Sequence, residues 1–152
     1  MIQRTVLFLL LNFGALAFGS YYSADGVPSE WYVTLVKAPW TPPGWVFGFA
    51  WTTIMICFSI FMAYLWPMIE NKKFIGGLYA IQWILNAAWS PAFFYLHEVT
   101  LGLIIISLLT ILMGYFLFKF RSSMRLRSAF VLPYFVWLLL ATSLNGYILI
   151  FN

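Results

Sequence analysis

The sequence predicts an all-α integral membrane protein folded as a bundle of five transmembrane helices, and three observations lead there. Of its 152 residues, 64% are hydrophobic and only 8% charged, where an ordinary soluble domain carries about 25% charged residues. The charges cluster, so that 5–24, 38–69, 74–97, 99–118 and 128–152 hold no Asp, Glu, Lys or Arg, and each gap reaches the roughly 20 residues that cross a hydrocarbon core as helix. The gaps are continuously apolar, which argues against the alternating ~10-residue strands of a membrane barrel. So little chain remains outside lipid that residues 1–152 are expected to form one transmembrane domain with no soluble catalytic module.

The first helix is expected at about 4–22. A cleaved signal peptide competes for this span, with Arg4, an apolar core and an AxA site at Ala15, Leu16 and Ala17. Four further spans follow, however, and Asn12, Ala15 and Gly19 share one side at spacings suited to close helix packing, a face that cleavage would not need. The loop at 23–43 is longer than most structureless connections. Its Trp31, Tyr32, Val33, Val36 and Trp40 are residue types that disordered segments lack. Within it, PSEWYVTLVK reads as a short helix capped by Ser29 and ended by Pro39. The stretch KAPWTPPGWVFGFAW, Lys37 to Trp51, then holds three prolines and three tryptophans.

The second helix is expected at about 44–66, the third at 74–96, the fourth at 100–119 and the fifth at 128–150. Short connections at 67–73 and 97–100 imply antiparallel neighbours. The basic turn FRSSMRLR belongs at the lipid headgroups. Arg4, Lys72, Lys73, Lys119, Arg121, Arg125 and Arg127 all fall on one side, with Lys37 alone on the other. By the positive-inside rule the N-terminus is cytoplasmic, as expected for a bacterial cell membrane. The basic residues sort by membrane side and form no nucleic-acid patch.

Polar side chains among lipid tails are costly and should face the bundle interior. The third helix carries Gln82, Asn86 and Ser90 at intervals of four, with Tyr79, Trp89 and Phe93 on the same arc. The fifth carries Tyr134, Trp137, Ala141 and Asn145 on one face, and the second Phe47, Trp51, Met55, Phe58 and Met62. Such stripes suit either a pocket lined by three helices or interhelical hydrogen bonding around a packed seam, and helical spacing does not separate the two. No span holds an ionisable residue near its middle, so no carboxylate relay or ion-coupled pathway is expected. A single Cys57, read as a buried thiol, and a single His97, read as a solvated loop residue, leave no basis for a metal site or a Cys-His nucleophile. A site would bind by shape, stacking and a few hydrogen bonds, with no cofactor.

Three blocks resemble the TspO/MBR family of translocator proteins: WYVTLVKAPWTPPGWVFGFAW from Trp31 to Trp51, QWILNAAWSPAFF from Gln82 to Phe94, and LPYFVWLLLATSLNGYILIFN from Leu132 to Asn152. The resemblance implies a five-helix bundle, commonly a homodimer, with a pocket for porphyrins, sterols and benzodiazepine-type ligands. It implies Trp51 and Trp137 as pocket walls, Gln82 and Asn86 as polar contacts, and Trp89, Ser90, Phe93 and Ala141 as lining. Trp31, Trp40, Pro42 and Pro43 match the loop that closes the pocket. For some bacterial members a light-dependent porphyrin breakdown is attributed to the positions matching Trp51 and Trp137. Two departures stand out: Ala38 replaces a proline of the loop, and no basic residue follows Tyr147, where a sterol-recognition pattern would end in one.

Proline fixes backbone before binding, and tryptophan offers flat faces to a flat ligand. The expected function is therefore a receptor or transport-type protein for a planar apolar molecule. Photo-oxidative porphyrin degradation is the enzymatic alternative, and a structural or stress-regulatory membrane partner the third.

Overall fold

Five long helices close a ring in a computed structural model that describes residues 1–152. They are α1 (Ile2–Gly26), α3 (Gly44–Met68), α4 (Lys72–Ser90, continued by a π-helical turn Pro91–Tyr95), α5 (Val99–Lys119) and α7 (Leu132–Phe151). Two short helices, α2 (Glu30–Thr34) and α6 (Arg121–Met124), lie in the connections, and a 3-10 segment Arg125–Val131 leads into α7. Around the ring the packing order is α1, α3, α7, α5, α4 and back to α1.

Four segments are long and apolar enough to cross a membrane: Ile2–Gly26, Gly44–Met68, Val99–Lys119 and Arg121–Phe151. Helix α4 is not among them, because Lys72, Lys73, Gln82 and Asn86 dilute its apolar content. The short 69–71 connection also does not make α3 and α4 packed neighbours. Helix α1 stands between them and packs on both. Its Asn12 explains this wedge: Nδ2 donates to Ser59 Oγ of α3 at 2.8 Å, while Oδ1 accepts from the Tyr79 hydroxyl of α4 at 2.7 Å.

Helix ends differ from the charge gaps for a simple reason. A gap marks where the chain meets hydrocarbon, whereas a helix continues into the headgroup layer until a breaker stops it. Helix α1 thus runs through Asp25 to Gly26, and α3 runs past Pro67 to Met68. Ser29 does cap α2, accepting from the Tyr32 amide at 3.2 Å, but the helix stops at Thr34, well short of Pro39. Lys37 folds back onto the end of α2 and its Nζ donates to the carbonyls of Tyr32 and Val33, which a longer helix would have used itself. The basic turn folds as α6 and the 3-10 segment, separated by Arg125 in positive φ. Arg127 lies 4.3 Å over the Tyr64 ring, which brings this basic connection beside the C-terminal end of α3.

The half of the ring nearest the basic connections is solid. Phe58 sits at its centre, edge-on to Phe116 at 5.7 Å and to Tyr134 at 5.5 Å, and parallel to Tyr79 at 6.2 Å. Above it, the Tyr134 hydroxyl accepts from Gln82 Nε2 at 3.0 Å and from Asn86 Nδ2, tying α7 to α4. Without water to replace a lost partner, such bonds specify helix registry, each at about 0.6 to 2 kcal/mol. Tyr134→Phe strands two buried amide donors and is expected to destabilise the bundle by about 1 to 2 kcal/mol. Thermal unfolding in detergent checks this, and a variant as stable as wild type would show that the network contributes nothing.

Candidate ligand-binding site

At the opposite end the ring opens around a cavity of about 590 Å³, within the roughly 300–1,000 Å³ of small-molecule sites. All five long helices reach it, through Gly19, Trp51, Trp89, Leu109 and Asn145, while Tyr32, Lys37 and Pro42 of the first loop form its roof. Proline chemistry shapes one wall. Pro91 lacks an N–H and crowds the preceding turn, so the end of α4 widens into a π turn in which the Leu96 amide reaches back to the Pro91 carbonyl at 3.0 Å. The widened turn turns two successive rings, Phe93 and Phe94, toward the same space.

Of the expected site residues, Pro42, Phe47, Trp51, Asn86, Trp89, Ser90, Phe93 and Asn145 line the cavity. Trp89 and Phe93 stack on each other at 5.2 Å and 15°, giving a flat wall. Asn145 holds that wall in place: its Oδ1 accepts from Trp89 Nε1 at 3.1 Å and its Nδ2 donates to the Val99 carbonyl at 3.0 Å. Opposite, the half-buried Trp51 meets the edge of Tyr134 at 6.0 Å. Asn86 serves both readings of the polar stripe, since it borders the cavity and binds Tyr134.

The other expected site residues stand outside the lining. Gln82, Tyr134 and Met55 are fully buried below the cavity floor, where apolar packing fills the space and Gln82 Oε1 is left without a hydrogen-bond partner. Ala141 packs against the same core. Trp137 stands behind Phe47, edge-on at 5.2 Å, and its Nε1 is buried without a partner. Pro43 caps the start of α3. Trp31 lies above Phe93 and stacks flat on His97 at 4.2 Å; that histidine is an exposed loop residue, as expected, and one face of its ring packs on the first loop. Trp40 turns to the outside of α7, donating to Ser143 Oγ at 3.1 Å and meeting the Tyr147 ring at 5.4 Å. Cys57 is half-buried rather than enclosed.

The roof is fastened to the bundle as well as stiffened by proline. Besides the Trp40 bond, the Val36 amide donates to Asn152 Oδ1 at 2.8 Å and the Val36 carbonyl accepts from Asn152 Nδ2 at 3.2 Å. Burial pushes the Tyr32 phenol above its ordinary pKa, so the roof presents a neutral hydroxyl there.

Helix α1 is the wall that reading the stripes missed. Asn12, Ala15 and Gly19 do pack, but above Asn12 the same face borders the cavity, continuing through Ser23. Ser23 Oγ lies 3.3 Å from Ser90 Oγ and a Cβ on Gly19 would stand 3.2 Å from it. Small residues carry no ligand signature, and only the fourfold spacing running on to Ser23 marked them. The wall is incomplete between α1 and α3, where Ser20, Gly44, Gly48 and Thr52 both line the cavity and remain exposed. No atom lies within 4 Å of a Cβ placed on Gly48. Gly48→Phe is expected to slow ligand association and dissociation alike, on the order of tenfold, with little change in affinity. Stopped-flow mixing measures both, and unchanged rates would place the entrance elsewhere.

Comparison with known proteins by sequence identifies a family. The profile of the TspO/MBR family matches residues 6–151. The chain is 35% identical over 121 residues to Protein CrtK of Rhodobacter capsulatus, covering 78% of this chain and 76% of that one. It is 35% identical over 131 residues to the tryptophan-rich protein TspO of Chlorobaculum tepidum, covering 82% of each. It is also 29% identical over 120 residues to the human translocator protein, covering 76% of this chain and 71% of that one.

Proposed function

The chain belongs to the TspO/MBR family, and from that premise we propose a multi-pass membrane protein of receptor or transport type that binds flat, apolar molecules, porphyrins foremost, in the roofed cavity. The observation that carries this reading is the pair of aromatic walls facing one space of about 590 Å³, with Trp51 on one side and the stacked Trp89 and Phe93 on the other. Each well-placed aromatic contact adds about 0.5 to 1.5 kcal/mol beyond area burial. Benzodiazepine-type and sterol-like ligands fit the same chemistry of shape and stacking.

The proposal includes five spans. Helix α4 crosses as the fifth because its amides turn inward, where Gln82 is buried and Asn86 nearly so, while Ile81 and Ile84 face outward at 51% and 59% exposure. It further includes a bacterial cell membrane with a cytoplasmic N-terminus, the cavity opening toward the outer leaflet. A homodimer is the expected assembly. Crosslinking in bilayers tests it. Photo-oxidative breakdown of porphyrin is the weaker reading here, because it asks for two indoles at the ligand and only Trp51 of the pair lines the cavity.

Titration with protoporphyrin, read by quenching of tryptophan emission, tests the proposal. Saturable quenching that a benzodiazepine-type ligand competes away is the expected result. Quenching that rises without saturation would mean partitioning into the detergent or lipid instead.

A further inference from the structure

A groove lies on the outside of the ring, between α5 and α7. Gly114, Tyr115, Phe118 and Lys119 of α5 line it together with Phe135 and Leu139 of α7. It follows α5 from Thr110 to Lys119, which at 1.5 Å per residue is about 14 Å. That matches one leaflet, half of a hydrocarbon core about 30 Å thick. Glycine at 114 lets the Phe135 ring lie down against α5, since a Cβ there would stand 3.2 Å from Cε2 of that ring. Phe118 meets the same ring edge-on at 6.2 Å, so aromatic faces form the floor. At the far end the Thr110 hydroxyl donates to the Ile106 carbonyl at 2.7 Å and lies 3.0 Å from the Thr142 hydroxyl, so these polar groups are satisfied between the helices and that end stays apolar.

The near end is basic. Lys119 is the charged residue of the lining, and it is exposed. Arg121 and Arg125 follow on the same connection, both exposed, and the Arg125 amide donates to the Arg121 carbonyl, which keeps the two on one helical turn. None of the four acidic residues, Asp25, Glu30, Glu70 and Glu98, lies in α5, α6 or the 3-10 segment. Leu126, 93% exposed between Arg125 and Arg127, adds an apolar tip to this basic connection.

We propose that this groove binds one anionic phospholipid from the leaflet on the basic side of the protein. An acyl chain lies along Phe118 and Gly114 toward Thr110, and the phosphate meets Lys119 with Arg121 and Arg125 around it. Clustered basic residues beside a membrane attract acidic lipid diffusely. An apolar groove one leaflet long, ending at a lysine without an acidic neighbour on its own element, turns that attraction into a single site. The roofed cavity takes no part in it, so this inference stands or falls apart from the function proposed above.

Native mass spectrometry of the full-length protein in a non-ionic detergent, titrated with dioleoyl phosphatidylglycerol or dioleoyl phosphatidylcholine, counts the lipids held. One phosphatidylglycerol is expected to bind about fivefold tighter than the first phosphatidylcholine. Lys119→Gln is expected to erase that preference and leave phosphatidylcholine within about twofold. Lys73→Gln removes an exposed charge from the same side of the membrane but outside the groove, and is expected to keep the preference. Leu139→Trp adds bulk to the groove at a position 50% exposed, and both lipids are expected to bind several-fold more weakly. Phosphatidylglycerol is further expected to raise the melting temperature of the wild type and not that of Lys119→Gln, because the bound lipid bridges α5 and α7. Equal losses in the Lys119 and Lys73 variants would mean diffuse attraction and overturn the proposal. Unchanged binding in Leu139→Trp would overturn the groove as the place of the chain, and oleate displacing phosphatidylglycerol at equal concentration would overturn the phospholipid as its occupant.

Discussion

Alanine at Gly26 is expected to destabilise the bundle by about 2 kcal/mol and to lower its unfolding temperature by roughly 5 °C. A Cβ at that position would stand 2.5 Å from Cβ of Phe94 and 2.6 Å from two of its ring carbons. Trimming Phe94 cannot relieve the clash, because its own Cβ is among the atoms struck. Either α1 or the π turn must move, and Phe94 is part of the cavity wall, so ligand affinity is expected to fall together with stability. Gly14 is the internal control. A Cβ placed there has no atom within 4 Å, and alanine gains helix propensity, so Gly14→Ala is expected to be neutral or slightly stabilising. Equal melting temperatures for the two variants would show that α1 does not press against the π turn.

The second large effect concerns the ligand. Trp51→Ala is expected to weaken porphyrin binding by about 2 kcal/mol, roughly 30-fold, because it removes one face of the slot at a half-buried position. Trp51→Phe keeps a smaller face and is expected to recover most of that loss. Trp45, at 73% exposure, points away from the cavity, and its alanine variant is expected to bind as wild type does. Trp137→Ala acts only through Phe47, which leans on it, so a loss of about threefold is expected. Fluorescence titration across the four variants ranks them. A Trp137 variant as impaired as the Trp51 variant would mean that Phe47 swings aside when ligand enters.

The all-helical fold and four of the expected spans were legible because charge is so scarce in this chain that its gaps mark long apolar helices directly. Helix limits were less so, for the same reason: Asp25 ends a gap without ending α1. The wedging of α1 between α3 and α4 was hidden in Asn12, whose residue type announces a buried hydrogen bond but not two partners on different helices. Pro91 could be read as a disturbance in α4, yet that it would widen the turn and bring Phe93 and Phe94 to one cavity depends on packing against α1 and the loop.

In the site, a helical stripe defines an arc and not a depth. Trp51, Asn86 and Trp89 lie on that arc at cavity level, while Met55, Gln82 and Tyr134 lie on it one turn deeper, where the core is already filled. Trp137 lies on its arc too, but edge-on to a phenylalanine from another helix and outside the lining. The resemblance implies Trp31 and Trp40 in the loop that closes the pocket. There they anchor the roof, one against His97 and the other against Ser143, while Tyr32, Lys37 and Pro42 line the cavity.

A structure determined in lipid with protoporphyrin bound tests the central claim most directly. The ring is expected beneath Pro42, between Trp51 and the stacked pair of Trp89 and Phe93, with the helices of the lower half unmoved. Porphyrin found against the exposed outer face at Trp45, with the cavity collapsed or filled by side chains, would contradict it.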